Sequence, residues 1–410
     1  MKKIIVWGCG GFANRFLDKY EKYMLKEYEI IAFSGNDERE EFRGIPFVKP
    51  DRIEQLCYDE ILVLSSFYYE IKKRIQSEYH IPACKIIDRS DVFCCLGELL
   101  CEATDIPKVE YDLFATEAYK FAFEGDFINR SKGYDKLLIV LAGYKQFMYD
   151  AFFERLEKYL DPDIDVCIIT SGKVDTQTAE ICEKNDWSYL SSSRNNVSLV
   201  QNVAIKNHPN AEYIYKLDED ILITKDYFQS LFRAYEDSEE GMYEPSFIAP
   251  LIPINFYGFI PIIEKLGIKP LFEERFSELK YKPKTVLGDV VMKNLDFARF
   301  MWGENGFVPS IDELNDMFSA QTVSEYPCTV RFNTGAILFS RKTWYRMGYF
   351  RVDSSTGMGE DEKQINEFCI TSSQPLLVSH NVVVGHFSFG PQTEEMKKYY
   401  FEHPEMFRLK

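Results

Sequence analysis

The chain has 410 residues, 46% of them hydrophobic and 28% charged, enough for two or three domains with sizeable buried cores. These proportions exclude a disordered chain, a fibre and a disulfide-stapled miniprotein. Lys plus Arg number 48 against 65 Asp plus Glu, a formal charge of −17. So acidic a balance excludes a phosphate-tracking nucleic-acid binder, although a metal ion or a few placed cations can still neutralise a single diphosphate. Aromatic residues reach 15%, a share that fits aromatic-rich cores and also ring-stacking surfaces.

None of the ten cysteines stands at C-x-x-C spacing, and several fall in apolar runs. They read as reduced core thiols of a cytoplasmic protein, not as a disulfide frame or a zinc site. After Met1-Lys2-Lys3 the apolar run stops at Trp7, too short for the apolar core of a signal peptide. The most apolar long stretch, Phe247 to Phe272, is broken by Pro250, Pro253, Pro261 and Pro270 and carries Glu264 and Lys265, so it is no spanning helix. A soluble chain with at most peripheral membrane contact is expected.

In chain order, a compact strand is predicted at Lys3 to Trp7, a helix over Phe12 to Leu25 and a second strand at Tyr28 to Phe33. A helical stretch near Asp51 to Leu56 leads to a strand at Ile61 to Leu64. A helix over Tyr68 to Glu78 and a short strand at Lys85 to Ile87 follow. Such alternation implies right-handed βαβ units and a parallel sheet. Between the first strand and helix, Gly8-Cys9-Gly10-Gly11-Phe12-Ala13 fits G-x-G-x-x-A. Glycines there let backbone N–H groups and a helix N-terminus approach a pyrophosphate. Gly8, Gly10 and Gly11, with Asp37 just past the second strand as the ribose acid, are therefore candidates for holding a nucleotide. The same glycines can equally serve only the turn. Residues 1–95 are read as a Rossmann-like module and 96–133 as a helical linker.

A second α/β unit is predicted from residue 134 to about 400. Its strands are Lys136 to Leu141, Asp165 to Thr170, Trp187 to Leu190 and Tyr213 to Leu217, and its helices Gln146 to Leu160, Thr176 to Lys184 and Val197 to Lys206. The fourth strand runs into Asp218-Glu219-Asp220-Ile221. A strand ending in D-x-D puts two hard oxygen donors at the carboxyl edge of the sheet, where open α/β sheets bind ligands and where Mg²⁺ or Mn²⁺ is well matched. On its own, a solvated acidic turn explains the same residues.

The context resembles the GT-A glycosyltransferases, whose DXD carboxylates hold a metal ion against the diphosphate of a nucleotide sugar. Upstream, Ser193-Arg194-Asn195-Asn196 is similar to the loop such families place near the nucleotide, which implies substrate contacts for Arg194 and Asn195. Downstream, Arg331 to Phe339, with Asn333-Thr334-Gly335, looks like the strand beside the donor sugar. Trp344 to Phe350 and then Gly357-Met358-Gly359-Glu360-Asp361-Glu362 follow. The last run resembles the G-W-G-x-E-D motif of the inverting galactosyltransferase and chondroitin-polymerase type, with Met358 in place of the tryptophan. The departure puts a sugar-stacking contact in doubt. By this resemblance Asp361 is the base that deprotonates the acceptor, Glu360 positions hydroxyls and Gly359 lines the substrate site. A late histidine, His386, would join Asp220 at the metal, with His380 as its competitor, and Asp218 would lie by the ribose or bind the ion too.

The implied activity is metal-dependent transfer of a sugar from a nucleoside diphosphate sugar to a glycan or lipid-linked glycan, with inversion, in bacterial surface-polysaccharide assembly. Residues 254–328 match poorly and read as an insertion that binds the acceptor or forms a lid. Within it Trp302-Gly303-Glu304-Asn305 resembles a W-G-G-E-N motif of retaining enzymes but lacks one glycine. Two other readings stay open: a non-catalytic sugar-nucleotide-binding scaffold, and an NAD(P)-linked sugar oxidoreductase using the N-terminal glycines. The first unit shows no Tyr-x-x-x-Lys pair for the latter.

Overall fold

A computed structural model describes residues 1–65, 67–89, 91–92, 95–96, 120–281, 288–320, 325–352 and 358–409. The fold is mixed α/β, and the chain divides into two compact units: Met1–Phe123 with Trp344–Ser355, and Glu124–Thr343 with Thr356–Lys410.

The first unit is built on six strands: β1 (Lys2–Trp7), β2 (Tyr28–Ser34), β3 (Glu41–Phe42), β4 (Ile45–Val48), β5 (Glu60–Val63) and β6 (Ile86–Ile87). Their order is β3-β4-β2-β1-β5-β6, with every pairing parallel except the β3–β4 hairpin. Along β1 the side chains alternate between two cores. Ile4 and Val6 join Phe16, Leu17 and Phe33 on one face, while Ile5 and Trp7 join Ile53, Ile61 and Ile75 on the other. A strand buried on both sides is why this segment reads as a continuous apolar run. The helices Gly11–Met24 and Tyr68–Tyr79 lie close to their predicted bounds.

Two features differ from the sequence expectation. The run Trp344 to Phe350, expected in the second unit, belongs to the first. There the Tyr345 ring stands edge-on to Tyr68 at 4.8 Å, and the Tyr349 hydroxyl donates to Asp88 Oδ2. The linker expected at 96–133 lies outside the described residues from 97 to 119, and its end is not helical. Residues Gly125–Ile128 form a strand, β7, paired antiparallel with residues 189–192 of the second unit. An edge strand gains its hydrogen bonds from a partner far along the chain, so its local sequence carries little of the signal.

The second unit holds a nine-stranded mixed sheet. After β7 come β8 (Lys136–Ala142), β9 (Ile164–Ser171), β10 (Ser188–Ser192), β11 (Tyr213–Asp218), β12 (Ile221–Leu222), β13 (Phe247–Leu251), β14 (Glu325–Pro327), β15 (Ala336–Ser340), β16 (Leu376–Val383) and β17 (Gly385–His386). The order is β14-β16-β13-β15-β11-β8-β9-β10-β7, and β12 pairs separately with β17. Strands β11, β8, β9 and β10 run parallel, and β15 lies antiparallel to β11. The strand expected over Arg331 to Phe339 is thus only its second half, and Arg331 to Gly335 is a loop leading into β15. Asn196 caps the helix Val197–Asn207, its side chain accepting from the Leu199 amide at 2.9 Å.

Candidate functional site

Where β11 ends, the backbone is pinned from both sides. The Asp218 amide donates to the Gly335 carbonyl at 2.9 Å and the Glu219 amide to the Leu141 carbonyl at 3.0 Å. The acidic residues therefore emerge at a fixed place, on a cavity of about 440 Å³. It is lined by Asp218, Asp220, Asn333, Thr334, Gly335, Gly359, Asp361 and His386, all named from sequence, and by Lys145, Lys216 and Glu362, which were not.

Lys216 organises one wall. It sits in the middle of β11, 3% exposed, and a buried ammonium needs partners. Its Nζ lies 3.0 Å from Asp218 Oδ1, 3.0 Å from the Thr334 carbonyl and 3.5 Å from Asp361 Oδ2. Burial alone would lower its pKa, but Asp218 and Asp361 prevail and hold it above the ordinary lysine value. Asp361 is buried in the first turn of the helix Glu360–Thr371, a favourable place for acids at the dipole's positive end. Its Oδ2 also accepts from Gln201 Nε2 at 3.1 Å, and its Oδ1 from the Glu362 amide at 2.8 Å.

The second wall is made by β12 and β17. Their pairing sets Ile221 opposite His386, and the Phe387 amide donates to the Asp220 carbonyl at 2.9 Å. His386 Nδ1 lies 2.8 Å from the Ile254 carbonyl, so this nitrogen carries the proton and Nε2 is left as a lone-pair donor. Nε2 stands 3.5 Å from Asp220 Oδ2. Lys145 Nζ meets the same carboxylate oxygen. Burial disfavours the Asp220 anion, yet the Lys145 ammonium on the same oxygen holds its carboxyl well below the usual carboxylate range. His380 is elsewhere, bonded to Tyr257.

The middle acid, Glu219, also lines the cavity but is bonded to backbone. Its two oxygens accept from the amides of Gly143, Tyr144 and Lys145 at 2.7, 2.8 and 2.6 Å. Burial pushes its pKa up to about 7 despite those three donors. The bonds fix the loop after β8, which is what delivers Lys145 to Asp220.

Three of the expected site features sit differently from the rest. Among the described residues no three His, Cys, Asp or Glu side chains converge as a ready metal set. Asp218 Oδ1 is engaged by Lys216 and Asp220 Oδ2 by Lys145, and His386 Nε2 stands on the Asp220 side of the cavity. Glu360 does not line this cavity but an adjoining one, with Lys363 Nζ 3.9 Å from its Oε2. It is Glu362 that faces the carboxylate cavity, held by Arg331 and by Asn333 Nδ2 at 3.0 Å. Arg194 and Asn195 lie outside the lining. Asn195 Oδ1 accepts from the hydroxyls of Tyr144 and Ser171, both at 3.2 Å, and so supports Tyr144, which does line the cavity.

Other predicted residues fall as follows. Gly335 passes so close to β11 and β12 that a Cβ there would stand 3.0 Å from Ile221 and 3.3 Å from Asp218 Oδ2. Gly357 lies outside the described residues. Trp302 is a buried wall. Its Nε1 donates to the Phe387 carbonyl at 3.0 Å, and its indole packs on Gly385 and Phe407 behind the His386 strand. In the first unit Gly8 and Gly10 form the turn after β1, Gly11 opens the following helix, and the Cys9 thiol donates to Asp37 Oδ2 at 2.6 Å.

Residues 1–87 match the family model described as C2185-like, N-terminal. No curated protein is significantly similar in sequence. Among solved structures, the chain is similar to a mannosyltransferase from Pyrobaculum calidifontis in complex with GDP-Man and Mn²⁺. Identity is 10% and the TM-score 0.37, over 81% of this chain and 72% of that one. It is also similar to glucosyl-3-phosphoglycerate synthase from Mycobacterium tuberculosis in complex with Mn²⁺, uridine diphosphate and glucosyl-3-phosphoglycerate. There identity is 11% and the TM-score 0.34, over 68% of this chain and 83% of that one. No helix among the described residues is long and apolar enough to cross a membrane.

Proposed function

We propose that the second unit is a metal-dependent glycosyltransferase of GT-A type, which moves a sugar from a nucleoside diphosphate sugar to a glycan hydroxyl. The observation that carries this reading is the meeting of Asp220, His386 and Asp361 on one cavity, from three separate stretches of the chain. The carboxylate oxygen of Asp220 and the lone pair of His386 Nε2 face each other across a gap suited to a small divalent ion. The Ile254 carbonyl provides the outer anchor that a metal-ligating imidazole requires. Such a pair fits Mn²⁺ or Mg²⁺ with phosphate oxygens and water as further ligands. When bound, the ion neutralises the charge that grows on the leaving diphosphate.

The protein's own residues supply the rest. Lys145 adds a cation on the same wall. Lys216 ties Asp218, on the donor side, to Asp361, and the tie fixes the base relative to the donor. Each Asp361 oxygen retains a lone pair after its described bonds, so the carboxylate can take the acceptor's hydroxyl proton as that oxygen attacks the anomeric carbon. Attack opposite the diphosphate inverts the configuration. Asn333 and Glu362 face the sugar, and Glu360 faces the adjoining cavity from which an acceptor would enter. With the N-terminal glycine turn and Asp37 as a nucleotide-binding module, the chain would serve bacterial surface-polysaccharide assembly from the cytoplasmic side, on a free or lipid-linked glycan.

The test is a panel of UDP-, GDP- and dTDP-sugars with Mn²⁺, following release of the nucleoside diphosphate without acceptor. Slow hydrolysis of at least one donor is expected, abolished by EDTA and by Asp220→Asn. A panel in which no donor is bound or cleaved overturns the reading.

A further inference from the structure

The insertion expected to hold stacking aromatics sorts them into two sets. Phe259, Phe272, Phe297 and Phe300 are buried against one another as core. The tyrosines behave differently. Tyr257, Tyr281 and Tyr326, with His380, line a separate cavity of about 590 Å³ whose remaining wall carries Glu264, Lys265 and Lys280. That volume is within the roughly 300–1,000 Å³ of small-molecule sites. Tyr281 and Tyr326 are 37% and 48% exposed, a cost in hydrophobic free energy that packing alone does not explain.

The aromatic wall is closely packed. The rings of Tyr257 and Tyr281 are nearly parallel, 14° apart with centroids at 5.7 Å. Tyr326 lies over His380 at 4.3 Å. The Tyr257 hydroxyl is 3.0 Å from His380 Nε2, and burial pushes the imidazole's pKa down to about 4. The ring is therefore neutral near pH 7, and it shares one hydrogen bond with the tyrosine hydroxyl. Fixed ring faces flanked by carboxylate and ammonium groups match one ligand chemistry well. A pyranose offers an apolar C–H face to an aromatic ring and a girdle of hydroxyls to charged side chains.

This cavity is also linked to the carboxylate cavity. The Tyr257 amide donates to Asn255 Oδ1 at 3.0 Å, and Asn255 lines the carboxylate cavity while its Nδ2 donates to the Asn333 carbonyl at 3.1 Å. A third cavity of about 580 Å³ adjoins the carboxylate cavity. Its Phe332 ring is 6.5 Å from Tyr257, and it shares Met358 and Gly359 with the carboxylate site. We infer that the tyrosine cavity is a carbohydrate subsite for the distal residues of the acceptor, so that the acceptor is an oligosaccharide and not a monosaccharide. The ligand's being an acceptor rests on the sugar-transfer reading; its being a glycan rests on the cavity itself.

The experiment is saturation-transfer NMR and calorimetry on the full chain with defined neutral, N-acetylated and uronate-bearing hexasaccharides beside their monosaccharides. At least one hexasaccharide binds while its monosaccharide does not. Tyr281→Ala combined with Tyr326→Ala weakens it about tenfold, as expected for two lost ring contacts. Tyr281→Phe and Tyr326→Phe, which keep the ring faces, retain affinity, and Asp220→Asn retains it too. The inference is overturned if no hexasaccharide binds, or if the double alanine variant binds it as the wild type does while melting normally. Titration with UDP and GDP in Mn²⁺ is run on the same samples. Failure of the donor reading shows there as absent nucleotide binding, whatever the glycan result.

Discussion

The carboxyl ends of β1 and β11 each release the chain into a tight turn beside an acidic residue, and they are built differently. At β1 the partners come only from the ends of the two adjoining strands, β2 and β5. Gly8 has φ +118°, and a Cβ there would stand 2.7 Å from the Leu64 carbonyl oxygen, whereas Gly10 has open space around it. Its acid, Asp37, is 54% exposed at the side chain and bonds a thiol two residues from the helix start. At β11 nearly everything is remote. Asp220 is 4% exposed and Asp361 5%, and their partners come from the loop after β8, from the helix Val197–Asn207 and from β17. A motif read along the chain thus establishes a turn in the first case. In the second it marks one corner of a site whose other corners only the sheet brings near.

That contrast can be broken in three places. The largest effect is expected from Asp361→Asn, which removes the proton acceptor and keeps the shape. Turnover should fall by about 10²–10⁴-fold, the span of general-base catalysis, with nucleotide affinity in Mn²⁺ unchanged. Equal turnover would remove Asp361 from the base role. Next, the two glycines of the β1 turn should part company. Gly8→Ala meets both a left-handed backbone and a clash, and is expected to cost about 2 kcal/mol in denaturant titration of the first unit's transition. Gly10→Ala should stay within about 0.5 kcal/mol. Similar losses at both would mean that the turn is not set by Gly8.

The smallest effect concerns pH. His380 is held neutral by burial, which pushes its pKa down to about 4 from the ordinary imidazole value. The unfolded chain therefore binds its proton first as pH falls. Stability should decline between about pH 6.5 and pH 4 and then level off for this group. His380→Asn should flatten that part of the melting-temperature profile. A profile unchanged by the substitution would show that the imidazole titrates normally.

Legibility in the sequence followed the range of the interactions. Strands β1, β2, β8, β9 and β11 are buried, and their apolar runs put the predicted ends within a residue or two of the observed ones. Strand β7 and the β12–β17 pair carry little such signal, being short or dependent on a distant partner. The D-E-D run, the E-D helix start and His386 were readable as residue types suited to metal and proton chemistry. Lys216 was readable too, since a lysine inside Tyr213 to Leu217 is a charge in a buried strand and demands a partner. Gln201 and Glu219 offered no comparable sign, because a glutamine in a helix and a glutamate in an acidic run are ordinary on a surface.

By itself, then, the order of residues determined the alternation of strands and helices, the turn at Gly8 and the chemical types available at the end of β11. Those follow from local periodicity, backbone sterics and side-chain chemistry. Tertiary structure alone decided that Asp220 answers to His386 and Lys145, that Asp218 and Asp361 share one lysine, and that Glu362 faces the cavity while Glu360 turns to its neighbour. Those outcomes depend on strand order and helix phase, which are set by packing the whole sheet and are invisible to any short window of sequence.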